Sequence, residues 1–365
     1  MQVEMGSYLL LITCCFFLDV ACAAQLHSKL ARRETSKRRF DADKTEQSFA
    51  YATMIHDFFD DHQYADSAIA LAASLRAVAS PYPLLVMMNA SAFGSSADVA
   101  AALHKLNIQM ISLPRVALPK AYVKRHPHAW GGKWNMAWNK ISMWNLTQYD
   151  KILWLDADAI VTHNIDWLFS RKGLWAMNER NYITCKRDPG EANMGFLLMQ
   201  PSAEIYQDML RYADGLENIH EAETTIVNEY LKNVARIPIG MLPSYVADYG
   251  HCALGPHFLD GCEGCARLPK PISSLQAASQ QIVPHFIHKG NSKGYNCFSR
   301  RGFNRSRCAE PGYAVYRDYW HENFCAGVLI TGLRSLDAAA FCKGMPSILP
   351  DPLPAPAAGD PDMWQ

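Results

Sequence analysis

A short apolar run, Ile152-Leu153-Trp154-Leu155, breaks off on two carboxylates, Asp156 and Asp158, within the stretch YDKILWLDADAIVTHNIDWLF. Such a run suits a buried strand, and open α/β sheets gather their ligands at the carboxyl ends of strands. On extended chain, residues i and i+2 share a face, so both carboxylates aim at one point. Two like charges at that spacing call for a cation between them. Oxygen ligands select a hard divalent ion, manganese or magnesium. The plain alternative is a helix-capping Asp beside a solvated one, because an isolated D-x-D is a weak signal.

The surrounding pattern supplies the sheet. Apolar runs at Tyr51 to Ile55, Leu84 to Met88 and Ile108 to Leu113 are predicted strands. Between them, Ala68, Ile69, Ala72, Leu75 and Val78 follow helical spacing from Asp66, with Ser67 placed to cap, and a second helix is predicted over Ser95 to Leu106. A helix from Trp134 to Leu146 leads into the acidic strand. Phe196 to Met199 is a further strand, Ala203 to Tyr212 a helix, and Ile282 to Ile287 the last strand of the core. This alternation predicts an α/β domain with a Rossmann-like, mostly parallel sheet covered by helices on both faces.

Composition sets the limits. The 365 residues are 49% hydrophobic, enough for one large α/β domain with appendages or for two small domains. Lys+Arg and Asp+Glu are both 35, so no global basic field recruits nucleic acid. Residues 1–24 hold an apolar run (Tyr8 to Leu18) followed by Ala21-Cys22-Ala23-Ala24, which resembles a signal peptide, although Met1 to Ser7 carry no Lys or Arg. That predicts a secretory-pathway protein, in the ER or Golgi lumen or secreted, with membrane attachment only if the leader stays uncleaved. Residues 25–48 are polar and basic and read as a flexible stem. Of eleven cysteines, Cys14, Cys15 and Cys22 lie in the leader. The remaining eight are even in number and crowd toward the carboxyl end, as in a disulfide-stapled secreted chain. They define a Cys-rich insertion at about 250–271 and a Cys-rich extension over 296–345, before a Pro-rich, disordered tail over 346–365. Cys262 and Cys265, with His251 and His257 near, could instead bind zinc.

Two further features bear on chemistry. His285 follows a strand and offers a neutral imidazole as a third metal ligand. Downstream of it, Gly290 permits close backbone approach to a phosphate and Lys293 brings a positive charge. A lone histidine is, however, commonly a structural hydrogen-bonder. Asn193-Met194-Gly195, ahead of the Phe196 strand, places an amide where a hydroxyl-rich ligand could bond to it; the alternative is an ordinary turn.

Taken in order, YATMI, SAIALAASLRAVASPYPLLVMM, NKISMWNLTQYDKILWLDADAIV with NIDWLF, NMGFLLMQPS and HF…GNSK resemble glycosyltransferase family 8, the glycogenin and galactinol-synthase group. The resemblance covers roughly residues 50 to 295 and implies a GT-A nucleotide-diphospho-sugar transferase fold over 49–295. It implies a metal-dependent, retaining transfer of a hexose from a uridine diphosphate (UDP) sugar to a glycan, protein or small-molecule acceptor. Asp156 and Asp158 would hold manganese (or magnesium) on the diphosphate, with His285 as the histidine ligand. Gly290 and Lys293 match the diphosphate clamp, and Lys140 a lysine reaching the donor. Tyr64 would lie against the uracil, stacking as aromatics do on bases. Asp188 and Asn193 match positions on the sugar hydroxyls. The chain departs from the family in three places. About four residues are inserted after Ile55, which leaves open whether His56 or Asp57 touches the base. The loop from His285 to Gly290 is longer. The family's Asp-Gln pair near the sugar and acceptor is here Glu223-Thr224, which leaves open a catalytically impaired protein that binds nucleotide or glycan without turnover. A strand ending in D-x-D also opens phosphatases of the haloacid-dehalogenase type, in which the first Asp is a nucleophile. Ile160 stands where those prefer Thr or Val, and the motif lies deep in the chain.

Overall fold

The computed structural model describes residues 47–55, 62–89, 97–113, 116–125, 137–180, 187–217, 219, 223–242, 247–249, 283–285, 298–299, 302–303, 314–333, 342 and 344–352. The chain divides into two units, Met1–Ser48 and Phe49–Gln365. The first lies almost wholly outside the described residues; the leader and stem expected there, and the insertion over 250–271, also fall outside them.

Seven strands form one sheet: β1 (Phe49–Met54), β2 (Leu84–Asn89), β3 (Ile108–Leu113), β4 (Lys151–Leu155), β5 (Leu174–Arg180), β6 (Arg187–Met199) and β7 (Ile239–Met241), in the order β3-β2-β1-β4-β6-β5-β7. Neighbours β1, β2, β3 and β4 pair in parallel, as do β5 and β7. β6 runs antiparallel to both β4 and β5. The sheet is therefore mixed and mostly parallel, with its one reversed strand beside the acidic one.

The apolar runs are continuous because both faces of the sheet are covered. Along β4, Leu153 and Leu155 join one core, whereas Ile152 and Trp154 join the other. On the first face lie α1 (His62–Ala77) and α6 (Ala314–Thr331), which contribute Ile69, Leu75, Trp320 and Phe324. On the second face lie a 3-10 helix (Trp138–Asn145), α4 (Ala203–Gly215) and α5 (Glu223–Glu229), with Trp138, Met209 and Ile226. Two short helices, α2 (Ala97–His104) and α3 (Lys120–Arg125), a second 3-10 helix (Asp166–Ser170) and a π-helical turn (Tyr230–Val234) complete the helical set among the described residues. α4 begins as its residues dictate: the Ser202 hydroxyl accepts from the Ile205 N–H at its N-terminus.

Several expectations need correction. α1 starts at His62, so Ser67 lies inside the helix and is buried rather than capping it. The helix expected over Trp134 to Leu146 is a tighter 3-10 helix from Trp138, pinned by the burial of Trp138, Ile141, Met143 and Trp144. The strand expected at Ile282 to Ile287 as the last of the core is a three-residue β9 (Val283–His285), which pairs in parallel with β8 (Ala247–Tyr249) in a separate two-stranded sheet. A further pair, β10 (Phe298–Ser299) and β11 (Gly302–Phe303), is antiparallel. Within the expected disordered tail, Leu349 packs against the first core, beside Met345.

The carboxyl-terminal helix is integral to that core. α6 lies against α1 so closely that a Cβ at Gly327 would meet Ile69 Cγ2 at 2.7 Å. Trp320 stacks on Phe324 with centroids 5.2 Å apart, and a disulfide joins Cys325 to Cys342. Among the described residues, no helix is long and apolar enough to cross a membrane.

Candidate active site

β1, β2 and β4 run in parallel, so their carboxyl ends share one edge of the sheet, and Asp156 stands on it directly after Leu155. The chain turns there: the Ala159 N–H donates to the Asp156 carbonyl at 2.9 Å, and both Ala157 and Asp158 are buried. The antiparallel pairing of β6 brings the Asn193-Met194-Gly195 segment alongside, with Leu155 opposite Phe196 and the Asp156 N–H donating to the Gly195 carbonyl at 2.9 Å. Asn193 is buried and its Oδ1 accepts from the Gly195 N–H at 2.8 Å, which fixes the turn of that segment.

The Asp156 side chain is held from two directions. Trp154, two residues back on the same face, donates its indole N–H to Oδ1 at 3.0 Å. The Lys140 ammonium, from the 3-10 helix, lies 2.9 Å from Oδ1 and 3.1 Å from Oδ2. Lys140 also meets Glu223 Oε1 at 3.2 Å, at the start of α5. Burial alone would lower the lysine pKa, but Asp156 and then Glu223 outweigh it and hold it above the ordinary value. Glu223 is 3% exposed, and its Oε2 has no hydrogen-bond partner among the described residues. Tyr122 stands near enough that burial first, and the Glu223 charge second, raise its phenol pKa.

α5 is registered on the sheet by one side chain that sequence reading did not single out. The Asn228 amide donates to the Ala192 carbonyl and accepts from the Ala192 N–H, both at 2.8 Å. Asn228 thus completes β6 like an extra strand residue and sets Glu223 opposite Lys140. Its signal was faint: an asparagine one turn beyond Thr224, to whose carbonyl its amide also donates at 3.0 Å, reads as an ordinary solvated helix residue.

Asp156, Asp158, Lys140, Asn193 and Glu223 are thus described as side chains, and Lys140 directly joins Asp156 to Glu223. Tyr64 lies in the first turn of α1, on the connection leaving the carboxyl end of β1, half-buried against the first core. Asp188 lies on β6 and His285 on β9, opposite Tyr249, but the side chains of both fall outside the described residues. Gly290 and Lys293 are also outside them.

The donor set suits a hard divalent cation. Asp156 and Asp158 offer carboxylate oxygens at a partly open edge, Asp156 keeping 22% of its side chain exposed. The orphaned Glu223 oxygen adds a buried acceptor to the same locality.

No protein-family model matches the chain. Over 251 residues, 68% of this chain and 32% of the relative, it is 28% identical to UDP-glucuronate:xylan alpha-glucuronosyltransferase 1 of Arabidopsis thaliana. A 100-residue stretch is 33% identical to glycogenin-1 of Mus musculus, covering 27% of this chain and 28% of that one. Among solved structures, the glycosyltransferase GlyE of Streptococcus pneumoniae TIGR4 aligns with a TM-score of 0.49 at 16% identity, over 81% of this chain and 62% of that chain. The chain spans about a third of the length of the curated relatives it matches. Those relatives are members of glycosyltransferase family 8; this chain is similar to them over part of its length and carries its acidic pair at the carboxyl end of β4, the central strand of its mixed sheet.

Proposed function

We propose that the chain is a metal-dependent glycosyltransferase that moves a hexose from a UDP-sugar to a glycan, protein or small-molecule acceptor, with retention at the anomeric carbon. One observation carries this reading. Lys140 ties the Asp156 carboxylate to Glu223 at the carboxyl edge of β4, beside the Asn193 segment, where a diphosphate-bound sugar would lie.

Asp156 and Asp158 would hold a manganese or magnesium ion, with His285 as a further ligand. When bound, the ion supplies Lewis-acid stabilisation of the diphosphate leaving group. Lys140 fixes the orientation of Asp156 and keeps its own charge near the departing phosphate, with Lys293 and Gly290 as the diphosphate clamp. Glu223 spends one oxygen on Lys140, leaving the other to accept a sugar hydroxyl, alongside Asp188 and Asn193. Tyr64 supplies a face for the uracil. The leader would direct the chain to the secretory pathway, followed by a stem and the transferase domain, whose first core is completed by α6 from within the Cys-rich end.

A second reading has its own observation. Thr224 stands where the family carries a glutamine amide, and Glu223 is already engaged by Lys140. This favours a domain that binds nucleotide or glycan without transferring sugar.

The test is a screen of UDP-sugars with manganese, scored by UDP release, on the wild type and Asp158→Asn. Metal-dependent release that Asp158→Asn abolishes while the circular dichroism spectrum stays unchanged supports transfer. Turnover retained in that variant overturns the metal assignment, and tight UDP binding with no release from any donor favours the second reading.

A further inference from the structure

Away from the sheet edge, three metal-ligating side chains meet on the carboxyl-terminal helix. His321 and Cys325 stand one turn apart on α6, and Cys342 reaches the same point from the chain beyond it. One ligand atom from each lies within 4.8 Å of the other two. We propose that His321, Cys325 and Cys342 form a Cys2His site for Zn2+ in the dithiol state of the chain, of which the Cys325–Cys342 disulfide is the oxidised alternative.

The distances suit that ion. Zinc takes thiolate sulfur at about 2.3 Å and imidazole nitrogen at about 2.0–2.1 Å, which sets tetrahedral donors roughly 3.3–3.8 Å apart. The two sulfurs, bonded in the oxidised state, need to part by less than about 2 Å to share one ion in this way. The supporting frame is packed into the first core. Trp320 and Phe324, which flank His321 and Cys325, are buried and stacked in the first core. Cys342 is buried too, its carbonyl accepting from the Met345 N–H at 3.0 Å, and Met345 and Leu349 pack on that core. His321 is half-buried, so an ion has a route to the site from water. Histidine and cysteine four apart on a helix place both donors on one side, which is how helices supply zinc ligands.

The interconversion balances against an outside dithiol or disulfide, which takes up or supplies the two electrons and two protons. On binding Zn2+ the two thiols lose two protons, and the neutral imidazole donates its lone pair. Oxidation removes two electrons and joins the sulfurs, leaving no thiolate for the ion. Passage between the states is thiol–disulfide exchange with a dithiol or disulfide partner. The two occupants are therefore mutually exclusive.

The experiment uses the full chain, purified in a phosphine reductant with thiols counted by mass after alkylation, and titrated with Co2+ as a spectroscopic stand-in for Zn2+. The wild type should show thiolate-to-cobalt charge transfer and tetrahedral d–d bands. His321→Ala and Cys342→Ser should each bind one ion fewer per chain, or bind the last ion at least tenfold more weakly. The disulfide form should match those variants rather than the reduced wild type. Because His321 is not fully buried, its variant should keep its helical circular dichroism. If reduction itself melts α6, regain of helix on adding Zn2+ supports the site, whereas no regain overturns it. Equal cobalt stoichiometry and affinity in reduced wild type and His321→Ala also overturns it, since the other cysteines would then hold all the metal.

Discussion

Lys140 and Glu223 form a 3.2 Å ion pair between the 3-10 helix that precedes β4 and the first turn of α5, with Glu223 almost wholly buried. The same ammonium reaches Asp156, so a single charge locks three elements around the strand end. Removing it strands a buried carboxylate. Lys140→Met should therefore cost about 3–5 kcal/mol in denaturant unfolding, and Lys140→Met with Glu223→Gln should recover part of that loss. Equal stability in the single and double variants would count against the pair.

The same lysine predicts a pH response. Its pKa in the folded chain is raised, so its stabilisation is complete below the unfolded-state value of about 10.4 and is lost as pH rises through the folded value. Unfolding free energy of the wild type should fall toward that of Lys140→Met only above about pH 10. Guanidinium titrations between pH 8 and 11 check this, and a gap between the two proteins that is constant over that range would contradict it.

Trp154 orients the Asp156 carboxylate through its indole N–H. Trp154→Phe keeps the apolar bulk and loses that bond, for about 1 kcal/mol of stability. If the chain transfers sugar, turnover should drop several-fold while the donor KM changes little, because the carboxylate is misdirected rather than removed. Steady-state UDP release gives both parameters.

Asn228 makes its two bonds to one residue, Ala192, and both ends are buried. Asn228→Ala leaves a backbone donor and acceptor without partners and should destabilise by about 2–4 kcal/mol. Asn228→Asp keeps the acceptor but not the donor and should fall between. Thermal unfolding by calorimetry orders the three proteins.

Gly327 is the point where α6 and α1 touch. A Cβ there would meet Ile69 at 2.7 Å and Ala73 and Leu106 at 3.3 Å. Gly327→Ala should lower stability by about 1–3 kcal/mol despite the better helix propensity of alanine. Pairing it with Ile69→Val should restore part of the loss, read again as a shift in melting temperature.

Much of this fold was legible because its signals are local. β2 and β4 are built on unbroken apolar runs and β3 on a mostly apolar one, and their ends fall within a residue of the expected ones. β6 was read only at its apolar end, Phe196 to Met199, since the Arg-Asp-Pro-Gly-Glu beginning carries no hydrophobic pattern. β5 (LWAMNER) and the three-residue β7 went unread: one turns polar halfway, and the other is too short to show a period. The reversal of β6 has no local signature at all, because strand alternation is the same in either direction. In the site, Asp156, Lys140, Asn193 and Glu223 could be named from motif resemblance, yet their ion pairs join residues distant along the chain, which no periodicity encodes. Asn228 was missed for the same reason. α6 was hidden by its place among the carboxyl-terminal cysteines, which invite reading as a stapled appendage.

The docking of α6 on α1 has a consequence during synthesis. The first helix of the sheet domain buries Ile69 and Ala73 against a partner made some 240 residues later, on the order of tens of seconds at a ribosome. Until then one flank of the nascent domain is greasy and uncovered, a natural target for chaperones. Contacts of such long range also slow spontaneous collapse to the native state. Premature termination anywhere before residue 314 should therefore yield a sticky, protease-sensitive product rather than a smaller working domain.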